Sequence, residues 1–212
     1  FATPQQRASE WERHLEQLVF EGAGRRFNLI GHSLGGLDAR YLVSGLGRAD
    51  LVASIITIGT PHHGTPIADL FCGATDEGLL DRNRAELGSE IFTRLFNLEY
   101  EDNSFVEAIT SLSSDAAAEF NRTIIDHDDV YYASWAGRSC GSFDDDCQAV
   151  CAGQKVGPLL APSHLILRLQ GETSDGLIPT GSAIWGDYQG EVCADHTDQI
   201  GAFSERAGRI FD

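Results

Sequence analysis

Ser33 stands in Gly31-His32-Ser33-Leu34-Gly35, after the apolar run Phe27 to Ile30 and before a helical pattern that begins at Leu34. A serine hydroxyl is a poor nucleophile at neutral pH, so chemistry here requires a histidine base and a carboxylate to orient that base. The pentapeptide matches the nucleophile elbow, a sharp strand-to-helix turn that strains the serine backbone and lifts its hydroxyl clear of the sheet. Glycines two residues to either side are expected on steric grounds, because a side chain at either place would strike the neighbouring strand or helix. The same turn places the Leu34 backbone N–H at a helix N-terminus, where it can face a developing oxyanion.

An elbow serine is followed along the chain first by its acid and then by its histidine, each in a loop near the C-terminal end. His196, in Cys193-Ala194-Asp195-His196-Thr197-Asp198, follows the last strand-like run. Asp175, in Thr173-Ser174-Asp175-Gly176-Leu177-Ile178-Pro179, sits in the turn of the preceding unit. The interval between Ser33 and Asp175 has room for an insertion, and that between Asp175 and His196 for one crossover. Glu172, Asp187 and Asp198 compete with Asp175 for the acid position. Among the other histidines, His32 reads as a packed residue, His62 and His63 as shapers of the pocket floor, and His14 and His127 as solvated surface.

The elements that must position these groups follow from periodicity and caps. Thr3-Pro4-Gln5-Gln6 opens a helix with a threonine cap, proline in the first turn and a glutamine that completes a capping box. Ala8, Trp11, Leu15, Leu18 and Val19 recur on one face until Gly22. Phe27 to Ile30 has the pattern of a fully buried parallel strand, Leu34 to Leu46 that of a helix, and Ser54 to Ile58 that of a second strand. This alternation predicts an α/β fold with a parallel sheet, formed as one domain over residues 1–212. Between about Gly64 and Thr123 only short helical patterns occur, including Ala85 to Phe96 and Ala116 to Phe120, so a helical insertion over the sheet is expected. Strand character returns at Val130 to Trp135, a helix at Ser163 to Leu169, and two short closing units at Thr173 to Ile178 and Gly190 to His196.

Composition narrows the function classes. The formal charge is −17, with 32 acidic against 15 basic residues, and Lys155 is the single lysine. Such a surface repels phosphate backbones, which excludes nucleic acid as an expected partner. No apolar run approaches the ~20 residues of a membrane span. The chain begins at Phe1 and has no methionine, so material upstream of Phe1 is expected. Cys140, Cys147 and Cys151 crowd one acidic segment; a zinc site and one or two disulfides are both open, with disulfides in an exported protein preferred because no CxxC pair is present. The odd count of five leaves at least one thiol unpaired or bonded elsewhere. Asn121-Arg122-Thr123 fits the glycosylation pattern of a eukaryotic secreted chain.

Several stretches together resemble one family. NLIGHSLGGLDARYL at the elbow, ITIGTPHHGTPIAD after the second strand, YYASWAG at 131–137, SDGLIP around Asp175 and DHTDQIG around His196 occur in the order seen in bacterial triacylglycerol lipases of the α/β-hydrolase superfamily, the group that includes Pseudomonas and Burkholderia lipases. The resemblance implies an α/β-hydrolase fold, a triad of Ser33, Asp175 and His196, and ester hydrolysis through an acyl-enzyme. It also implies a helical lid within residues 66–125 and secretion. Acylglycerol esters, met at a lipid–water interface, are the implied substrate, and no cofactor is required.

The resemblance also has gaps. The family's second oxyanion donor lies on a loop before the elbow strand that these residues do not contain, so a fragment is expected, its N-terminal segment either a partner on a separate chain or lost, with a rearranged fold as the alternative. Many family members hold a structural calcium beside the histidine loop. Asp198 matches one of its ligand positions, but Ala202 and Ala161 stand near the other two, so the same site is not expected to be kept. Gly181 replaces a cysteine found beyond the acid in some members, so the disulfide pattern must differ. Two further readings stay open: a non-catalytic module of the same fold, and an acyltransferase or polyester depolymerase using the same triad, since water and an alcohol attack the same acyl-enzyme.

Overall fold

Thr3 caps the first helix as its sequence requires. The computed structural model describes residues 3–72, 103–141, 145–151 and 154–201. In α1 (Pro4–Phe20) the Thr3 hydroxyl accepts from the Gln6 N–H and the Gln6 side chain accepts from the Thr3 N–H, with Pro4 where no donor is lost. Ala8 and Leu15 bury the inner stripe, whereas Trp11 is 40% exposed. Arg7 anchors the helix by a bidentate contact, its Nε and Nη2 donating to the two carboxylate oxygens of the buried Asp38 at 2.7 and 2.8 Å.

Strands β1 (Phe27–His32), β2 (Val52–Ile58), β3 (Tyr131–Gly137) and β4 (Asp187–Val192) form one parallel sheet in that order. Parallel neighbours need crossovers. The first is α2 (Leu34–Arg40), continued by a π-turn at Tyr41–Gly45; the second contains α3 (Pro66–Cys72), α4 (Asn103–Thr110) and α5 (Ser114–Thr123); the third contains α6 (Asp145–Cys151) and α7 (Ala161–Leu169). The cross-strand row Leu29, Ile55, Tyr132 packs with Ala8, Ala39, Leu42 and Val43 beneath α1 and α2. The adjacent row Asn28, Ser54, Tyr131 points to the other face, as the two-residue period of a strand demands. A second apolar cluster, including Leu34, Leu37, Ile67, Phe71, Leu112, Leu177 and Ile178, joins the start of α2 to α3 and the Asp175 turn.

Three expectations need correction. β1 is not buried on both faces: Asn28 is exposed and Ile30 is 64% exposed, because α1 and α2 cover only the face carrying Leu29, Ile55 and Tyr132 and no described element covers the face carrying Asn28, Ser54 and Tyr131. Residues 173–178 form a turn closed by a single bridge between Ser174 and Pro179, not a strand, because the Asp175 carboxylate captures the N–H groups a strand would have offered to a neighbour. The last strand runs from Asp187 to Val192 rather than 190–196; it starts just after Gly186, whose φ of +58° and close approach to Tyr132 leave no space for a side chain. In the 66–125 interval the described parts are helical, and the expected helix at Ala85 to Phe96 lies outside the described residues.

The zinc reading of the cysteines is overturned, since their thiols are used in pairs. Cys140 bonds Cys147, and Cys151 bonds Cys193, while Cys72 belongs to neither disulfide. The second bridge spans 42 residues and ties α6 to the segment running into His196. Replacing Cys151 and Cys193 together by serine is expected to lower the unfolding free energy by about 2–4 kcal/mol. Replacing the Cys140 and Cys147 pair, separated by 7 residues, should cost less. Urea denaturation of the two double variants checks the order.

Candidate active site

Ser33 has φ 53° and ψ −127°, and among the described residues it alone combines a side chain with a positive φ. Its N–H is held by the Ile58 carbonyl at 3.0 Å, so the turn is fixed to the end of β2. The glycines around it divide differently from expectation. A Cβ on Gly31 would lie 2.6 Å from the Gly36 nitrogen, as the steric argument requires, but a Cβ on Gly35 would meet nothing within 4 Å. The tight position is Gly36, where a Cβ would come within 2.7 Å of Thr60 Cγ2 and 2.8 Å of Thr57 Cγ2. Helix α2 thus presses on the end of β2 through Gly36.

The structure brings the three predicted residues together. Ser33 Oγ lies 2.9 Å from His196 Nε2, and His196 Nδ1 lies 2.8 Å from Asp175 Oδ2. An ionised carboxylate can only accept, so Nδ1 carries the imidazole proton and Nε2 is left to accept from the serine hydroxyl. Asp175 has no solvent exposure. Its Oδ1 accepts from the Leu177 and Ile178 N–H groups at 3.0 and 2.7 Å, and its Oδ2 also accepts from Gln199 Nε2 at 2.8 Å. Burial works against its charge, but His196 beside it and the donated hydrogen bonds outweigh that and hold the carboxyl below its ordinary value. The competing acids are elsewhere: Glu172 and Asp187 are exposed, Asp187 accepting from Tyr131, and Asp198 is partly buried at the start of the turn after His196.

The histidine is fixed through its backbone as well. Its N–H donates to the Asp175 carbonyl at 2.9 Å, and its carbonyl accepts from His32 Nε2 at 2.9 Å. The two rings lie 4.6 Å apart. His32 is therefore a packed residue as expected, but one that holds the base in place; burial, with His196 nearby, lowers its pKa to about 4. The neighbouring Asp195 is committed to shaping the loop, accepting from Thr197 and Asp198 through Oδ1 and from the Gly157 N–H through Oδ2.

His62 is not a floor for this site. It turns into the fold, where Nδ1 accepts from Arg40 at 3.3 Å and Nε2 donates to Thr57 Oγ1 at 3.0 Å, while His63 is exposed. Arg40 is fully buried, with its guanidinium 3.6 Å from the Trp185 ring centroid; burial brings its pKa down to about 10. Asn121, the first residue of the tripeptide that fits the glycosylation pattern, spends its amide on Arg40 and on the His62 carbonyl.

Comparison with known proteins places this geometry. A family model for the alpha/beta hydrolase fold matches residues 12–136, more than half of the chain. The chain belongs to that family. Among relatives, a triacylglycerol lipase of Vibrio cholerae is 27% identical over 92% of this chain, and triacylglycerol lipase 2 of Saccharomyces cerevisiae is 26% identical over 94%. The chain spans 64% and 55% of the lengths of these two proteins. The mature form of the Bacillus licheniformis lipase BlEst2 superimposes with a TM-score of 0.66 at 21% identity, covering 92% of this chain and 68% of that one, which supports the α/β-hydrolase fold.

Around the Asp198 position, Asp195 has both oxygens engaged by donors, and among the described residues no three His, Cys, Asp or Glu side chains are placed to share an ion. The sequence reading missed Gln199 in this α/β-hydrolase. Its signals were its place three residues after His196 and the glycines Gly59 and Gly137 at the ends of β2 and β3.

Two outcomes follow for the site. Gly36→Ala should cost about 1–3 kcal/mol of stability by overpacking, whereas Gly35→Ala, in open space on α2, should be neutral or slightly stabilising; urea unfolding of both variants separates the two glycines. His32 takes a proton at 6.5 when unfolded and at about 4 when folded, so between those values the unfolded chain holds more protons and stability rises with pH. Acidification across that window should remove as much as ~3 kcal/mol through this group, while Asp175 contributes only below its ordinary 3.8. His32→Gln, which keeps an N–H donor, should flatten the slope of unfolding free energy between pH 6.5 and about 4; an unchanged slope refutes the assignment.

Proposed function

We propose that this α/β-hydrolase is a serine ester hydrolase of the triacylglycerol lipase type, with Ser33 as nucleophile, His196 as general base and acid, and Asp175 as the orienting carboxylate. The observation that carries the reading is the hydrogen-bonded line from Ser33 through His196 to Asp175, mounted on a serine with φ 53°. The names of the Vibrio and Saccharomyces relatives support acylglycerol esters as the substrate class.

In this reading Ser33 Oγ attacks the ester carbonyl carbon as its proton passes to His196 Nε2. The resulting oxyanion is met by the Leu34 N–H at the start of α2, where Ser33 makes no side-chain cap of its own. His196 then gives the proton to the alcohol oxygen as the carbon–oxygen bond breaks. Water attacks the acyl-serine, delivers its proton to Nε2, and the fatty acid leaves as the proton returns to Oγ. Asp175 stays ionised throughout, which its four donors favour. The second oxyanion donor is assigned to a segment pairing along the edge of β1 opposite β2, which has no strand partner among the described residues. The described helices α3, α4 and α5 are read as part of a cap, and the two disulfides favour an oxidising, extracellular setting.

A serine-reactive phosphonate should label Ser33, located by mass spectrometry of the peptide that contains it. Ser33→Ala should lose the label and reduce ester turnover on the order of 10⁴-fold or more. Labelling elsewhere, or turnover surviving in Ser33→Ala, overturns the reading. Rates on emulsified triacylglycerol against soluble esters then decide between lipase and esterase.

A further inference from the structure

We infer that Gln199 is a positioning residue for this reaction, its side-chain amide locking the Asp175 carboxylate that orients His196. The inference rests on the reading of Ser33, His196 and Asp175 given above, and adds a fourth side chain to it.

Gln199 is buried, and its Nε2 donates to Asp175 Oδ2 at 2.8 Å, the same oxygen that receives His196 Nδ1–H at 2.8 Å. The amide cannot be turned the other way, because its oxygen would then face a carboxylate. Gln199 Oε1 finds no hydrogen-bond partner among the described residues, so the side chain is held for the bond its nitrogen makes. Two glycines make room for it. A Cβ on Gly137 would collide with Gln199 Nε2 and lie 2.7 Å from Asp175 Cβ; Gly137 has no positive φ, so space alone accounts for glycine there. A Cβ on Gly59 would collide with Gln199 Oε1 and lie 3.1 Å from Asp175 Oδ2, at a residue whose φ of +54° already favours glycine.

Two chemical consequences follow. Rotation of the Asp175 carboxylate would break the bonds from Leu177, Ile178, His196 and Gln199 together, so the plane that aims Nδ1–H, and through it Nε2 at Ser33, is set. The Gln199 N–H also shares the negative charge on Oδ2. Without it, Oδ2 holds the imidazolium more strongly, and the His196–Asp175 pair keeps its proton to higher pH. The titratable groups around the pair are His32 from β1, which is neutral above about pH 4, and Asp195, whose oxygens turn to Gly157, Thr197 and Asp198.

The test is the pH profile of kcat/KM for a soluble ester in wild type, Gln199→Ala and Gln199→Glu, with Ser33→Ala alongside and melting temperatures recorded. Gln199→Ala should lower kcat roughly tenfold to a hundredfold with KM little changed, and move the acid limb to higher pH. Gln199→Glu, near-isosteric and so the variant that decides if alanine does not fold, should move the limb further, because its ionised carboxylate stands against Oδ2. A loss of rate or stability with the acid limb unmoved in the folded variants would make Gln199 a packing residue and overturn the inference. Turnover persisting in Ser33→Ala would instead sink the triad reading itself, so the two failures are distinguishable.

Discussion

Asp175 is a carboxylate removed from water, and its charge survives there because four N–H donors converge on it. Burying an isolated ionised carboxylate is far more costly than any single hydrogen bond returns. The donors must therefore be in place together, and they come from two separate segments: the Asp175 turn itself and the loop of His196 and Gln199. That one requirement orders much of the surrounding backbone. It explains why residues 173–178 form a turn, why the His196 N–H returns to the Asp175 carbonyl, and why Gly59 and Gly137 carry no side chains.

A second buried charge solves the same problem differently. Arg40 has donors to place rather than acceptors to fill, and it places them on Asn121, the Ile124 carbonyl and His62, with its flat face on Trp185. His62 can accept at Nδ1 only if Nε2 keeps its proton, so the direction runs on from Arg40 through His62 to Thr57 and ends on the Ala133 carbonyl. The network joins α2, the end of β2, the end of α5 and the approach to β4. It ties the C-terminal end of α2 to these elements, and it withdraws His62 from any chemical part.

The features legible in the sequence are those whose cause is local or whose order is imposed by the chain. The Thr3 cap needs three neighbouring residues, and Ser33, Asp175 and His196 are ordered by the topology of any elbow serine. What escaped reading depends on partners far away in sequence. Gly35 and Gly36 look equivalent in a string, but the two threonines that crowd Gly36 lie on and just after β2. Gln199 looks like a surface residue of a short turn until two strand ends are seen to have made room for it. Phe27 to Ile30 is apolar enough for burial on both faces, yet the face carrying Ile30 is decided by what lies against the sheet, which hydropathy along one strand does not encode.

The parallel sheet makes the convergence possible. Because every strand runs the same way, the residues that leave β1, β2, β3 and β4 emerge at one edge, and Ser33, Gly59, Gly137 and the segment leading to His196 are those residues. Only the acid arrives without a strand of its own, on the turn after α7, and it is the group that needs the largest number of donors to stay in place. The bridge from Cys151 to Cys193 meets the chain between β4 and His196, where the path from the sheet to the base has no further ladder to hold it. Serine geometry is thus secured by backbone strain, acid geometry by donors, and histidine geometry by both neighbours and a covalent tether, each at the place where the sheet's own hydrogen bonds end.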